Sequence, residues 1–85
     1  MKRYEIVFTK QAKKDVDLLM PKLKQKLKSI LENVIAVDPY AGKKLVGELA
    51  GYYSYRLSYQ DRIVYQIEAH KIRVIILRVR THYGD

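Results

Sequence analysis

The sequence contains no cysteine, which excludes a disulfide framework and any thiolate-based metal site. No apolar run approaches membrane-spanning length, and the opening Met1-Lys2-Arg3-Tyr4-Glu5 lacks a secretory apolar stretch. A cytoplasmic protein with no membrane partner is the expectation. Repeats, low-complexity tracts and linkers are also missing, so the 85 residues are expected to form a single domain, 1-85. Acid is scarce: nine Asp and Glu stand against seventeen Lys and Arg, for a net charge of +8. That excess on so small a chain favours a phosphate backbone or an acidic protein partner. Solubility alone is the bland alternative. A core of this size is marginal, which itself favours a stabilising partner.

The basic residues divide by type. Ten of the eleven lysines lie at or before Lys44, and five of the six arginines at or after Arg56. Lysine is a hydrated, mobile point charge, whereas arginine is a planar fork suited to phosphate oxygens and base edges. The first half therefore reads as solvated helix surface and the second as a recognition surface.

Taken in order, Tyr4, Ile6 and Phe8 alternate with Arg3, Glu5 and Val7, the pattern of a short strand. Thr9 is a suitable N-cap for a helix from Lys10 to about Met20, with Ala12, Val16 and Leu19 on one apolar stripe. Pro21 ends that helix and suits the first turn of the next. Leu23, Leu27, Ile30, Leu31 and Val34 form the second stripe, with Lys22, Lys24, Lys26 and Lys28 assigned to the outer side, and Asp38-Pro39 stops it. Tyr40 to Gly47 reads as loop; its glycines carry no Walker pattern. Tyr52 to Tyr59 and Arg62 to Glu68 alternate as strands around a Gln60-Asp61 tip, and Ala69-His70-Lys71 turns into a last strand. On that strand strict alternation puts Ile75, Leu77 and Val79 on one face. Val74, Ile76, Arg78, Arg80 and His82 then share the other. The expected architecture is α+β, with order β-α-α-β-β-β: an antiparallel meander joined by the first strand, carrying the helical hairpin on one face. Arg56 and Arg62 have the same parity, so a loop with an odd number of residues between their strands puts both on one face.

At this point the chain resembles toxins of the RelE/ParE superfamily, and most closely the YoeB/Txe branch. The resemblance rests on Leu49-Ala50-Gly51-Tyr52-Tyr53-Ser54-Tyr55-Arg56-Leu57, on Asp61-Arg62-Ile63-Val64-Tyr65, and on Arg80-Thr81-His82-Tyr83. It spans nearly the whole chain and implies a RelE-like fold. It also implies a ribosome-dependent endoribonuclease of a type II toxin-antitoxin system, held inactive by a cognate acidic antitoxin that wraps it. Ribosome and mRNA would be its other partners, with no metal or other cofactor. Carried over by position, Arg62, His82 and Tyr83 match catalytic residues, and Arg56 matches a basic strand position. The branch places a glutamate base before Pro-Leu; here Lys43 occupies that place, followed by Lys44-Leu45, and Glu48 is the nearest carboxylate. Gly84-Asp85 extends past the His-Tyr end.

Cleavage of RNA by its own 2′-hydroxyl needs a base, positive charge on the crowded phosphorane, and an acid for the leaving 5′-oxygen. An imidazole such as His82 suits either proton role. Arg56, Arg62 and Arg80 suit phosphate oxygens, with Lys43 and Lys44 as further RNA contacts. Tyr83 suits stacking or hydrogen bonding to a base. The base stays open among Glu48, His82 and a lysine. The ordinary alternatives are surface bridges from Arg56 and Arg62 to Asp61 or Glu68, and tyrosines that merely fill the sheet. A different functional class on the same fold is the ParE-like toxin that poisons DNA gyrase; the His82-Tyr83 pair favours the nuclease.

Overall fold

A computed structural model of the chain describes residues 3–81, with only the backbone described at Arg80 and Thr81. Strands β1 (Glu5–Phe8), β2 (Lys43–Lys44), β3 (Tyr52–Arg56), β4 (Asp61–Glu68) and β5 (Arg73–Thr81) form one sheet, ordered β1-β5-β4-β3-β2. Helices α1 (Lys10–Asp17) and α2 (Pro21–Ile30) make the hairpin, and α2 runs on as a π-helical turn, Leu31–Ile35. The α+β architecture is as expected, with three adjustments. The first strand joins by parallel pairing to β5, so the sheet is mixed. Lys43 and Lys44, placed in a loop by sequence, form a short edge strand opposite Ser54 and Tyr53. The third strand ends at Arg56, and residues 57–60 are the turn.

Local chemistry accounts for the helix boundaries. Thr9 is extended, and its hydroxyl oxygen accepts the Ala12 amide at 3.1 Å, capping α1. Met20 precedes proline and is itself extended (ψ 152°), so α1 cannot reach it and stops at Asp17. Leu27, Leu31 and Ile35 then lie against Ile63, Tyr65, Val74, Ile76 and Val79 in the core.

The core corrects the reading of β5. Val74, Ile76 and Val79 are all buried. They share a face although 76 and 79 differ in parity. The register explains this: Val64 pairs with Arg78 and Tyr65 with Ile76, leaving Leu77 as an extra residue, a β-bulge. Upstream of the bulge the even positions are core; downstream the odd ones are. Beyond Ile76 the strand has also outrun β1, and α1 takes over its edge. The Thr9 hydroxyl donates to the Leu77 carbonyl (3.2 Å), and Asp15 accepts the Val79 amide (3.0 Å).

Candidate functional site

The bulge determines which residues of β5 line up with the rest of the sheet. Arg56 pairs directly with Arg62 across β3 and β4, and Arg62 pairs with Arg80 across β4 and β5. Three arginines therefore occupy one register row. Like charges directly opposite each other destabilise an antiparallel pair, so the row is unfavourable for the fold alone. On β4, Ile63 and Tyr65 are fully buried and Arg62 is exposed; Val64, which shares the face of Arg62, is buried as well, so that face is open at Arg62 but not at Val64.

Arg56 and Arg62 open onto a groove of about 480 Å³. β2 covers β3 only at Tyr53 and Ser54, so the edge of β3 at Tyr55 and Arg56 has no strand beside it. Lys26 from α2, Ala41, Gly42 and Lys43 complete the wall with Ser54 and Tyr55. Its charged lining is Lys26, Lys43, Arg56 and Arg62, with no carboxylate. Neither Arg56 nor Arg62 forms a salt bridge among the described residues; Glu68 is paired instead with Arg73 and Lys71. Lys26 was missed by the outer-face assignment of the α2 lysines. A helical wheel puts it 100° from Leu27 on the Ile30 side, at the flank of the apolar stripe.

Behind the groove wall at Gly42 lies a fully buried tyrosine, Tyr65. The Tyr65 hydroxyl donates to the Pro39 carbonyl at 2.7 Å, and its ring stacks on Tyr53 at 5.9 Å. Burial pushes the Tyr65 phenol up to about 12. A Cβ on Gly42 would collide with that hydroxyl and approach the Ser54 carbonyl at 2.8 Å. This glycine is thus required by close packing.

The other sequence candidates are placed as follows. Lys44 is exposed on β2, opposite Tyr53, and does not line the groove. Glu48 sits in the 3₁₀ turn Gly47–Leu49, between β2 and the Tyr52 end of β3. Arg56 is at the other end of that strand, four residues or about 13 Å away, so the structure does not bring Glu48 to the arginines. Arg80 is in the row by register. His82, Tyr83, Gly84 and Asp85 lie outside the described residues. No cluster of three or more His, Asp or Glu suited to a metal is present among the described residues. Nor is any described helix long and apolar enough to cross a membrane.

A second, apolar groove of about 410 Å³ lies between β1 and the hairpin, lined by Ile6, Phe8, Val16, Leu27 and Leu31 with Lys24, Lys28 and Glu32 at its rim.

Residues 6–84 match the family described as ParE-like toxin of type II bacterial toxin-antitoxin system. Among solved structures, the RelBE toxin-antitoxin complex from Mycobacterium tuberculosis aligns with a TM-score of 0.87 and 31% identity, covering 96% of this chain and 94% of that one. A YoeB/ParE toxin from Agrobacterium tumefaciens aligns at 0.83 and 26% identity, over 93% and 99%. The YoeB-YefM complex from Staphylococcus aureus aligns at 0.77 and 27%, over 95% and 99%. No curated protein sequence matches the chain.

Proposed function

We propose, from the premise that this chain belongs to the ParE-like toxin family of type II bacterial toxin-antitoxin systems, that it is a toxin that cleaves mRNA on the ribosome without a metal ion. One observation carries this reading: a groove lined by four cations and no carboxylate, set on a register row of arginines. Such a site suits a phosphodiester and the further negative charge that develops on it during cleavage.

In this mechanism the ribose 2′-oxygen forms a bond to the adjacent phosphorus as the bond to the 5′-oxygen breaks, leaving a 2′,3′-cyclic phosphate. The hydroxyl proton passes to a base and the departing 5′-oxygen takes a proton. Arg62, with Arg56 beside it, holds the non-bridging oxygens as their charge grows. His82 delivers the leaving-group proton and Tyr83 orients a base. Lys43 takes the place beside the 2′-hydroxyl, since it lines the groove and Glu48 does not. The partner in the resting state is an antitoxin. Its acidic groups suit the cationic groove and its apolar groups suit the groove between β1 and the hairpin. The complexes of the M. tuberculosis and S. aureus relatives support this assignment.

Primer extension on mRNA from cells expressing the chain tests the reading. New cleavage ends, absent with Arg62→Ala, are the expected result. Arrested growth with an SOS response and no new ends would replace it with the ParE-like reading, in which gyrase is the target.

A further inference from the structure

The lysines of α2 are not equivalent. Lys24 and Lys28 lie at the rim of the apolar groove beside Glu32. Lys26, on the opposite flank of the same helix, lines the cationic groove, where no carboxylate offsets it. Four elements thus each send one cation to that groove: α2, β2, β3 and β4. One phosphodiester carries a single negative charge, and one arginine fork satisfies both of its non-bridging oxygens. Arg56 and Arg62, directly opposite each other, meet the needs of the reacting phosphate. With Lys43 beside the 2′-hydroxyl, Lys26 remains as uncompensated positive charge on the α2 wall, and mutual repulsion among like charges disfavours an empty groove.

We infer that Lys26 is a phosphate contact, and that the groove takes at least two consecutive phosphates of a single-stranded RNA, with α2 as one wall of the track. The inference rests on the RNA-cleaving reading of the same site and adds to it how many phosphates are held and by which element. A lysine suits this position because its flexible stem follows a phosphate whose exact place varies with the sequence bound. It contributes affinity and contributes little to the chemical step.

The test is a salt titration with the full chain and a short 2′-O-methyl RNA, which binds but cannot react. Log affinity falls linearly with log salt, by about 0.7 per phosphate contact for a single strand. Lys26→Ala is expected to reduce that slope by about 0.7 and to weaken binding at low salt. The ratio of Kd at 200 mM to Kd at 50 mM should accordingly shrink by ~2.6-fold, which is 4 raised to the power 0.7. Lys24→Ala, from the other flank, should keep the wild-type slope. A wild-type slope in Lys26→Ala, with a reduced one in Arg56→Ala, overturns the inference and leaves the site reading standing. Wild-type slopes in Lys26→Ala, Arg56→Ala and Arg62→Ala together show that RNA does not use this groove, and the site reading falls with it.

Discussion

Four arginines of the sheet fall into two pairs. On β5, Arg73 lies 3.3 Å from Glu5 and 3.6 Å from Glu68, and Arg78 lies 2.9 Å from Asp15. On β3 and β4, Arg56 and Arg62 face each other, and neither forms a salt bridge among the described residues. The two regions use the same side chain for opposite ends. At Arg78 the cation is part of the fold: its guanidinium and the Val79 amide converge on Asp15, which stands where a neighbouring strand would have continued. At Arg62 the cation has no ion-pair partner among the described residues. The chain thus pairs two of its arginines within the fold and sets two more in an opposition that the fold alone does not favour.

The sharpest way to break this comparison is Arg62→Ala. Arg62 is exposed and outside the core, so its loss should change stability by less than ~0.5 kcal/mol. A donor that stabilises developing anionic charge is worth about 2.7–4 kcal/mol, or ~10²–10³ in rate. Thermal unfolding and cleavage of mRNA on programmed ribosomes should therefore part company: a near-native Tm, with activity almost gone. A folded variant that cleaves normally would reduce Arg62 to a surface charge.

Gly42→Ala probes the packing behind the groove wall. The added Cβ meets a hydroxyl and a backbone carbonyl, and the carbonyl belongs to β3 and cannot rotate away. Overpacking of this kind costs about 1–3 kcal/mol. For a domain of this size that is a fall in Tm of roughly 4–8 °C per kcal/mol. An unchanged Tm would show that the loop carrying Gly42 yields freely and that the groove is not preformed.

Much of this arrangement was legible in the sequence, and the exceptions share a cause. The alternation of β4, the Thr9 cap, the proline that separates the helices and the meeting of Arg56 with Arg62 are all local in origin. A pattern of period two, a side-chain oxygen before a helix, or the five residues between Arg56 and Arg62 decides each. The bulge was not legible. From Val74 to Leu77 every residue is apolar, so alternation carries no phase there, and an inserted residue leaves no trace. What holds the insertion is Asp15, more than sixty residues earlier. Lys26 escaped for a related reason. Amphipathicity tells which stripe of a helix is buried but not which flank borders a groove; that depends on how the helix lies across the sheet. The two-residue β2 was too short to produce a period at all.

Asp15→Asn tests the structural side of the comparison. Asparagine retains an oxygen for the Val79 amide but loses the charge opposite Arg78. A hydrogen bond to a charged group is worth about 1.5–3 kcal/mol. The Arg78 side chain is partly exposed, which discounts this to roughly 1–2 kcal/mol. The Tm should fall, while cleavage per folded molecule stays close to wild type, the inverse of Arg62→Ala. Lost activity in a folded Asp15→Asn variant would mean that the bulge and the arginine row depend on this one carboxylate.

The smallest effect is also the most specific, because it assigns that stabilisation to a charge. Burial works against ionisation of Asp15, but hydrogen bonds from Arg78, the Val79 amide and Gln11, together with the Arg78 charge, outweigh it, and its pKa lies below the ordinary value. A carboxyl whose pKa is lower folded than unfolded stabilises the fold in its ionised form. The contribution is complete above the unfolded value, near 3.9, and drains away as pH falls from there through the lower folded value. Asparagine has no such proton to gain. The difference in stability between wild type and Asp15→Asn should therefore be constant from neutral pH down to about 5, then narrow below about 4. Every other carboxylate is present in both proteins, so its titration cancels from the difference if the sites are independent. Urea unfolding of the two proteins across this range measures it. A gap that persists unchanged at the acid end would show that shape and hydrogen bonding at Asp15, rather than its charge, secure the end of β5 beside α1.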